Sequence, residues 1–481
     1  MQSSIPSEAH PKALKFLFLT ELWERFAYFA IQSILVLFMS KKLGYSDSEV
    51  YLVFSAFGAL LFMMPLIGGL LADRFLGYVH AIIVGIVLLS VGYFLLATAN
   101  PRFLFGALAL LIVGNGFFKP NISTLLGCMY KPLTRNRESG FMIFYLGINV
   151  GATLGVIACG FLAKSLGWSW AIATAAVGLL IGGSIFLWQR KSILKDICCV
   201  TNLHNKANRS LVLIGIYGAL ILLLGGMWFL MMHAKVVNLT IIICAILLFI
   251  YLCIAWCKCE VAERNKFFVC IVLVIFSIAF WALYQQSFMS VVLFLSRLVN
   301  LRVFGIDIPP SVIGSLNGIF LITLTPFVIK LWQRLHHINK EPNVIIKFVL
   351  GIGFMGVGYL LMYFDATVVT LTKLAPLMPI VFSYALQTLG ELFLSPVGLA
   401  MITVLAPQKM RGFMMGVWFF ALAAATALAG QLARLTGGAA DLAQPLAAEI
   451  YSHAFLIYGG LAITIALLLL FNAKRLWLLI K

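Results

Sequence analysis

Apolar residues follow one another along almost the whole chain in runs of roughly 20, each long enough to span hydrocarbon as a helix. Breakers separate fourteen such runs. The first six cover residues 14–40, 50–72, 79–99, 103–129, 139–163 and 168–189, and two more cover 210–232 and 237–258. A last six cover 266–295, 311–334, 344–365, 375–405, 411–433 and 453–478. Between Arg190 and Arg209 lies a polar, basic stretch suited to a central cytoplasmic loop. Six, two and six predict an all-α integral membrane protein: a six-helix bundle over 1–190, a loop and inserted helix pair over 191–265, and a second six-helix bundle over 266–481.

Weak internal symmetry supports the two halves. Pro65 precedes Asp73-Arg74 by nearly the distance at which Pro326 precedes Gln333-Arg334, and Pro120 is matched by Pro396, each beside a polar residue. Interrupted helices in corresponding positions of two halves point to a transporter's central site, although prolines are common in membrane helices generally. The inserted pair carries no charge inside its apolar runs and is expected to be peripheral to any transport path.

Composition removes the soluble alternative. A mean hydropathy of +1.06 with 63% apolar and 10% charged residues leaves far more apolar surface than a soluble domain can hide. The net charge of +18 invites a nucleic-acid reading, but the cations sit in the gaps between apolar runs. With a cytoplasmic N-terminus, about 23 of the 34 Lys and Arg fall on the cytoplasmic side and about 9 outside, the positive-inside pattern. That asymmetry predicts both termini in the cytoplasm and no nucleic-acid partner. The nine cysteines form no metal-binding pattern, Cys253, Cys257 and Cys259 having no nearby histidine, so neither metal nor cofactor is expected. No cleavable leader is expected either, because the first apolar run carries the residues described next.

Glu21, Glu24, Arg25, Lys119 and Glu391 lie well inside apolar runs, where each ionised group costs on the order of 2.5–3.5 kcal/mol. They must pair or face water. Glu21, Glu24, Arg25, Tyr28 and Gln32 share one helix face by spacing, as do Asn115, Lys119 and Ser123, then Tyr145, Asn149 and Thr153, then Tyr384, Gln387, Thr388, Glu391 and Ser395. Polar faces turned to a common water-filled cavity explain this economically. Buried salt bridges between helices are the alternative, and they stabilise poorly.

At these residues the sequence resembles the proton-dependent oligopeptide transporter family of the major facilitator superfamily. Glu21-Leu-Trp-Glu24-Arg25-Phe26-Ala-Tyr28-Phe29 is similar to its E-x-x-E-R-F-x-Y-Y signature. Gly114-Asn-Gly116-Phe-Phe-Lys119-Pro120-Asn-Ile-Ser123 is similar to G-x-G-x-x-K-P-x-x-S, and Phe144-Tyr145-Leu-Gly-Ile148-Asn149-Val-Gly151 to F-Y-x-x-I-N-x-G. Glu391-Leu-Phe-Leu-Ser395-Pro396-Val-Gly398 resembles E-L-x-x-S-P-x-G, and Gly69-Leu-Leu-Ala-Asp73-Arg74 carries a weaker superfamily sign. The resemblance implies a major facilitator fold in a bacterial inner membrane, working as a monomer, with small peptides and protons as substrates. It implies that Arg25 and Lys119 meet the peptide's carboxylate beside Tyr28. Glu391 with Asn149 and Asn317 would hold the amino end, Trp418 would line the pocket, and Tyr145, Gln285 and Ser395 would join the substrate set. Glu21 and Glu24, with Arg25 and Lys119, would couple the proton, while Asp73, Arg74, Pro120 and Pro396 would serve gating and structure. Phe29 and Phe62 stand where many members have tyrosines, Gln285 where many have a glutamate, and Gly318 follows Asn317 where proline is usual.

Charge arithmetic reaches the same substrate. A dipeptide at neutral pH carries opposite charges within roughly 7 Å, at 3.3–3.6 Å per extended residue. Two cations in one half and a carboxylate in the other complement that dipole. The three glutamates and two cations sum to −1, so one proton neutralises the set and a zwitterion leaves it neutral. The rivals are a same-fold carrier of a drug, nitrate or amino acid derivative, a channel, and an intramembrane enzyme; no H-E-x-x-H or G-x-S-x-G pattern supports the last.

Overall fold

The computed structural model describes residues 10–130, 135–195, 209–370 and 373–480. Among them are fourteen helices long and apolar enough to cross a membrane, each in one of the expected runs. They are α1 (Leu14–Leu37), α2 (Asp47–Leu71), α3 (Tyr78–Ala97), α4 (Leu104–Cys128), α5 (Arg135–Ser165), α6 (Trp168–Trp188) and α7 (Arg209–Met232). There follow α8 (Ala234–Cys257), α9 (Val261–Tyr284), α10 (Ser315–His337), α11 (Val344–Thr367), α12 (Met378–Leu405), α13 (Arg411–Ala433) and α14 (Gln444–Leu478). The expected central loop begins with a short helix, Arg190–Lys195, and its residues 196–208 lie outside the described set.

Pro65, Pro120, Pro326 and Pro396 all sit inside continuous helices. Each removes one backbone donor, a loss that membrane helices tolerate where side chains or neighbouring helices satisfy the freed carbonyl. The real interruption falls elsewhere. The run expected as one helix over 266–295 breaks at a 3-10 turn, Gln285–Phe288, and resumes as the helix Ser290–Leu298 after Met289 leaves helical geometry at φ −115°, ψ −99°. No proline or glycine marks that break. Gln286 holds it by donating to the Ala429 carbonyl at 2.8 Å while accepting from Ser290 Oγ at 2.7 Å, and the Tyr359 hydroxyl donates to the Leu283 carbonyl at 2.7 Å. A two-residue hairpin pairs Arg302–Val303 with Ile306–Asp307 beyond it.

The chain divides into two compact units. One comprises the described residues within 1–34 and 63–233; the other comprises 35–62 with 234–480. In the first, α4 packs on α3 and on α7. Backbones approach closely at glycines: a Cβ on Gly85 would come within 2.9 Å of the Gly114 carbonyl, and one on Gly68 would overlap the Gly116 carbonyl. Small residues at crossings replace the hydrophobic drive that lipid cannot supply between helices. In the second unit α11 lies against α12 and α14, and α8 packs on α13 and α9. Here Asp47, the first residue of α2, accepts two hydrogen bonds from Arg297, at 2.6 and 2.8 Å, and Arg297 also donates to the Tyr451 hydroxyl at 3.1 Å.

Candidate functional site

In the first unit, α1 carries its ionisable stripe through a buried environment: Glu21, Glu24 and Arg25 are 2%, 0% and 3% exposed. Arg25 donates through Nε and Nη2 to the two carboxylate oxygens of Glu24, at 2.5 and 2.6 Å, and its Nε lies 3.4 Å from Glu21 Oε1. The guanidinium also stacks 4.7 Å over the Tyr28 ring. Helix-face reasoning brought Glu21 to Arg25 at i, i+4, yet the closest partner is the adjacent Glu24, since a long guanidinium can curl back on its own turn. Glu21 Oε2 is buried without a hydrogen-bond partner among the described residues. Lys119, half-buried on α4, stands close enough to act electrostatically on Glu21, Glu24 and Arg25. Pro120 follows it within the helix.

The α5 stripe is more open. Tyr145 is exposed, and Asn149 gives its amide to the Tyr145 carbonyl at 2.9 Å while Thr153 donates to the Asn149 carbonyl. Asp73 and Arg74 sit exposed on a π-turn, Ala72–Leu76, that ends α2.

In the second unit, Asn317 near the start of α10 organises a polar cluster. Its amide nitrogen donates to Glu391 Oε2 at 2.8 Å and to Thr388 Oγ1 at 3.2 Å, and its carbonyl oxygen accepts from the Tyr284 hydroxyl at 3.2 Å. Thr388 is anchored in turn on the Tyr384 carbonyl. Gln285, at the 3-10 turn, donates to Thr426 Oγ1 on α13 at 3.1 Å, leaving its own Oε1 buried and without a hydrogen-bond partner among the described residues. Trp418 is buried where Gly398 has no side chain; a Cβ there would overlap the indole ring. Ser395 lies half-buried one turn beyond Glu391, beside Pro396.

Thus Glu21, Glu24, Arg25, Tyr28 and Lys119 gather in one unit, and Asn317 and Glu391 gather in the other. Tyr284 and Thr426 join the second cluster without having been singled out as site residues, and Thr388 joins from the polar face it was expected to share with Glu391. The aromatic spacing of Trp281, Tyr284 and Phe288 was the available signal, and their rings do meet edge to face.

Fourteen spans with charged and amide groups built into their interior define an all-helical membrane protein of the major facilitator type. The family model described as the POT family matches residues 79–445. Dipeptide and tripeptide permease B of Salmonella typhimurium is 31% identical over 462 residues, covering 95% of this chain and 94% of that relative. Dipeptide and tripeptide permease A of Proteus mirabilis is 32% identical over 476 residues, covering 98% and 96%. Among solved structures, the peptide transporter POT in complex with sulfate superimposes with a TM-score of 0.85 at 32% identity, covering 98% of this chain and 96% of that one. A mutant of that transporter in complex with alafosfalin gives the same score at 33% identity. The chain belongs to the POT family.

Proposed function

We propose that the protein imports di- and tripeptides together with protons, by alternating access, in a bacterial inner membrane with both termini in the cytoplasm. The observation that carries this reading is the set of ionisable groups held inside membrane helices of a POT-family chain: Glu24, Arg25, Glu21 and Lys119 in one unit, Glu391 on Asn317 in the other. Names of the relatives, dipeptide and tripeptide permeases, support the substrate class.

In this reading Arg25 and Lys119 take the peptide's carboxylate, with Tyr28 and Tyr145 beside them. Glu391, Asn149 and Asn317 take its amino end, and Gln285, Ser395 and Trp418 complete the substrate set. Contacts confined to termini and backbone leave side chains free to vary. The proton is the only coupling ion and no cofactor takes part. Glu21 is the better seat for that proton: Glu24 spends both oxygens on Arg25, whereas Glu21 makes one longer contact and keeps one oxygen without a donor among the described residues. Proton and peptide then strengthen each other's binding by the same factor, and the membrane potential contributes about 2.3 kcal/mol per charge per 100 mV. Asp73, Arg74, Pro120 and Pro396 shape and gate the helices. One copy of the chain suffices for transport.

The test is uptake into proteoliposomes under an inward proton gradient, competed with free amino acids, dipeptides, tripeptides and tetrapeptides. Dipeptides and tripeptides alone should compete, and Lys119→Ala should abolish accumulation. A Lys119→Ala protein that still concentrates dialanine refutes the mechanism; competition by amino acids instead would favour a same-fold carrier of another solute.

A further inference from the structure

The inserted pair carries one buried amide. Asn238, one turn into α8, is 1% exposed, and its Nδ2 donates to Ser55 Oγ at 2.8 Å and to the Leu52 carbonyl at 3.2 Å, both in the first half of α2. Ser55 Oγ itself donates to the Leu52 carbonyl at 3.0 Å, which closes a three-membered polar triangle. This is a costly feature to place in an apolar helix unless it fixes something.

What it fixes is a helix crossing. The same stretch of α2 presses against α13 at two points. Gly430 leaves room for Ser55, whose side chain a Cβ at 430 would overlap, and Gly58 leaves room for the Thr426 methyl, which would stand 2.8 Å from a Cβ at 58. Ser55 is therefore held from one side by Asn238 and from the other by the α13 backbone. Thr426, one turn from Gly430, is the residue whose hydroxyl receives the Gln285 amide. A short mechanical chain runs from the inserted helix through Ser55 and the α2–α13 crossing to Thr426 and Gln285, all within one compact unit.

We infer that Asn238 is a positioning residue for transport: the inserted helix sets the α2–α13 crossing and, through Thr426, the orientation of the Gln285 amide in the substrate set. The inference rests on the peptide-carrier reading and gives the inserted pair, read from the sequence as peripheral to any transport path, a positioning role.

The test compares saturable dialanine uptake in proteoliposomes by wild type, Asn238→Leu, Thr426→Val and the double variant, with thermal unfolding of each in detergent. Asn238→Leu should lower the uptake rate about threefold to fifteenfold, the range one interhelical hydrogen bond carries in a membrane protein. If Asn238 works through Thr426, the double variant should transport no worse than Thr426→Val alone, the non-additivity expected of residues in one contact network. Wild-type rate and KM in Asn238→Leu, or uptake losses that multiply in the double variant, would overturn the inference. Should Asn238→Leu fail to give a monodisperse protein, Ser55→Ala removes the acceptor and must show the same non-additivity with Thr426→Val. A wild type that accumulates no peptide sinks the carrier reading itself and this inference with it, a result distinct from an inert Asn238→Leu beside an active wild type.

Discussion

Replacing Asp47 by alanine removes the carboxylate that Arg297 grips with two nitrogens, and leaves the guanidinium, among the described residues, with the Tyr451 hydroxyl alone. Charge centres about 4 Å apart attract by about 4 kcal/mol at an effective dielectric of about 20. The arginine side chain keeps 19% of its surface exposed against 2% for the aspartate, so some of that is returned by water reaching the orphaned cation. The carboxylate also sits in the first turn of α2, where it is worth a further 0.3–1 kcal/mol, roughly, against the helix dipole. The expected loss is about 3 kcal/mol, the low end for breaking a buried pair from one side. Thermal unfolding in detergent, followed by tryptophan fluorescence, measures it. Asp47→Ala/Arg297→Leu should be more stable than Asp47→Ala alone by about 1–2 kcal/mol, because no unpaired charge is then left behind. An Asp47→Ala protein within about 0.5 kcal/mol of wild type, or a double variant no better than the single, would show that the pair is not the fastening described.

Glu391→Gln should raise KM for dialanine about tenfold to a hundredfold, the value of one charge-assisted hydrogen bond, and should narrow the preference for dialanine over its N-acetylated form in competition assays. Gly68→Val should prevent α2 and α4 from closing at Gly116 and destabilise by about 1–3 kcal/mol or more, read as early melting. In the α10–α11 loop, the hydrogen bond from Lys347 at 2.5 Å, aided by His336, holds the Glu341 carboxyl below its ordinary 4.5. A lowered acid stabilises the fold fully above its unfolded-state value and loses that contribution as pH falls through its folded-state value. Glu341→Gln should therefore melt slightly below wild type at pH 7, by no more than about 1 kcal/mol for a surface pair, and the difference should shrink as pH falls below 4.5 and through the lowered folded-state value.

The spans were legible because a membrane helix has a minimum apolar length, and fourteen runs satisfied it. Glu21, Glu24 and Arg25 were legible because ionised residues well inside such a run are rare and costly. The Asp47–Arg297 pair was not, since both residues lie at helix ends where charges are ordinary, 250 positions apart. Asn238 was missed for a different reason: a single amide in an apolar run gives no hint of its partner on α2. The break at Gln285–Phe288 escaped too, because its stability comes from Gln286, Ser290 and Tyr359 side chains supplied by the tertiary structure and not from a local breaker.

That break bears on how the ninth crossing relates to the thickness of the bilayer. Uninterrupted, the 36 residues from Glu263 to Leu298 would reach about 54 Å at 1.5 Å per residue, far beyond a hydrocarbon slab of about 30 Å. The 24 residues of α9 already suffice for the crossing. The nine residues beyond the break, Ser290–Leu298, turn their apolar side chains inward: Val291, Leu293 and Phe294 are all 0% exposed. Their apolar surface is used up inside the second unit instead of lengthening the crossing.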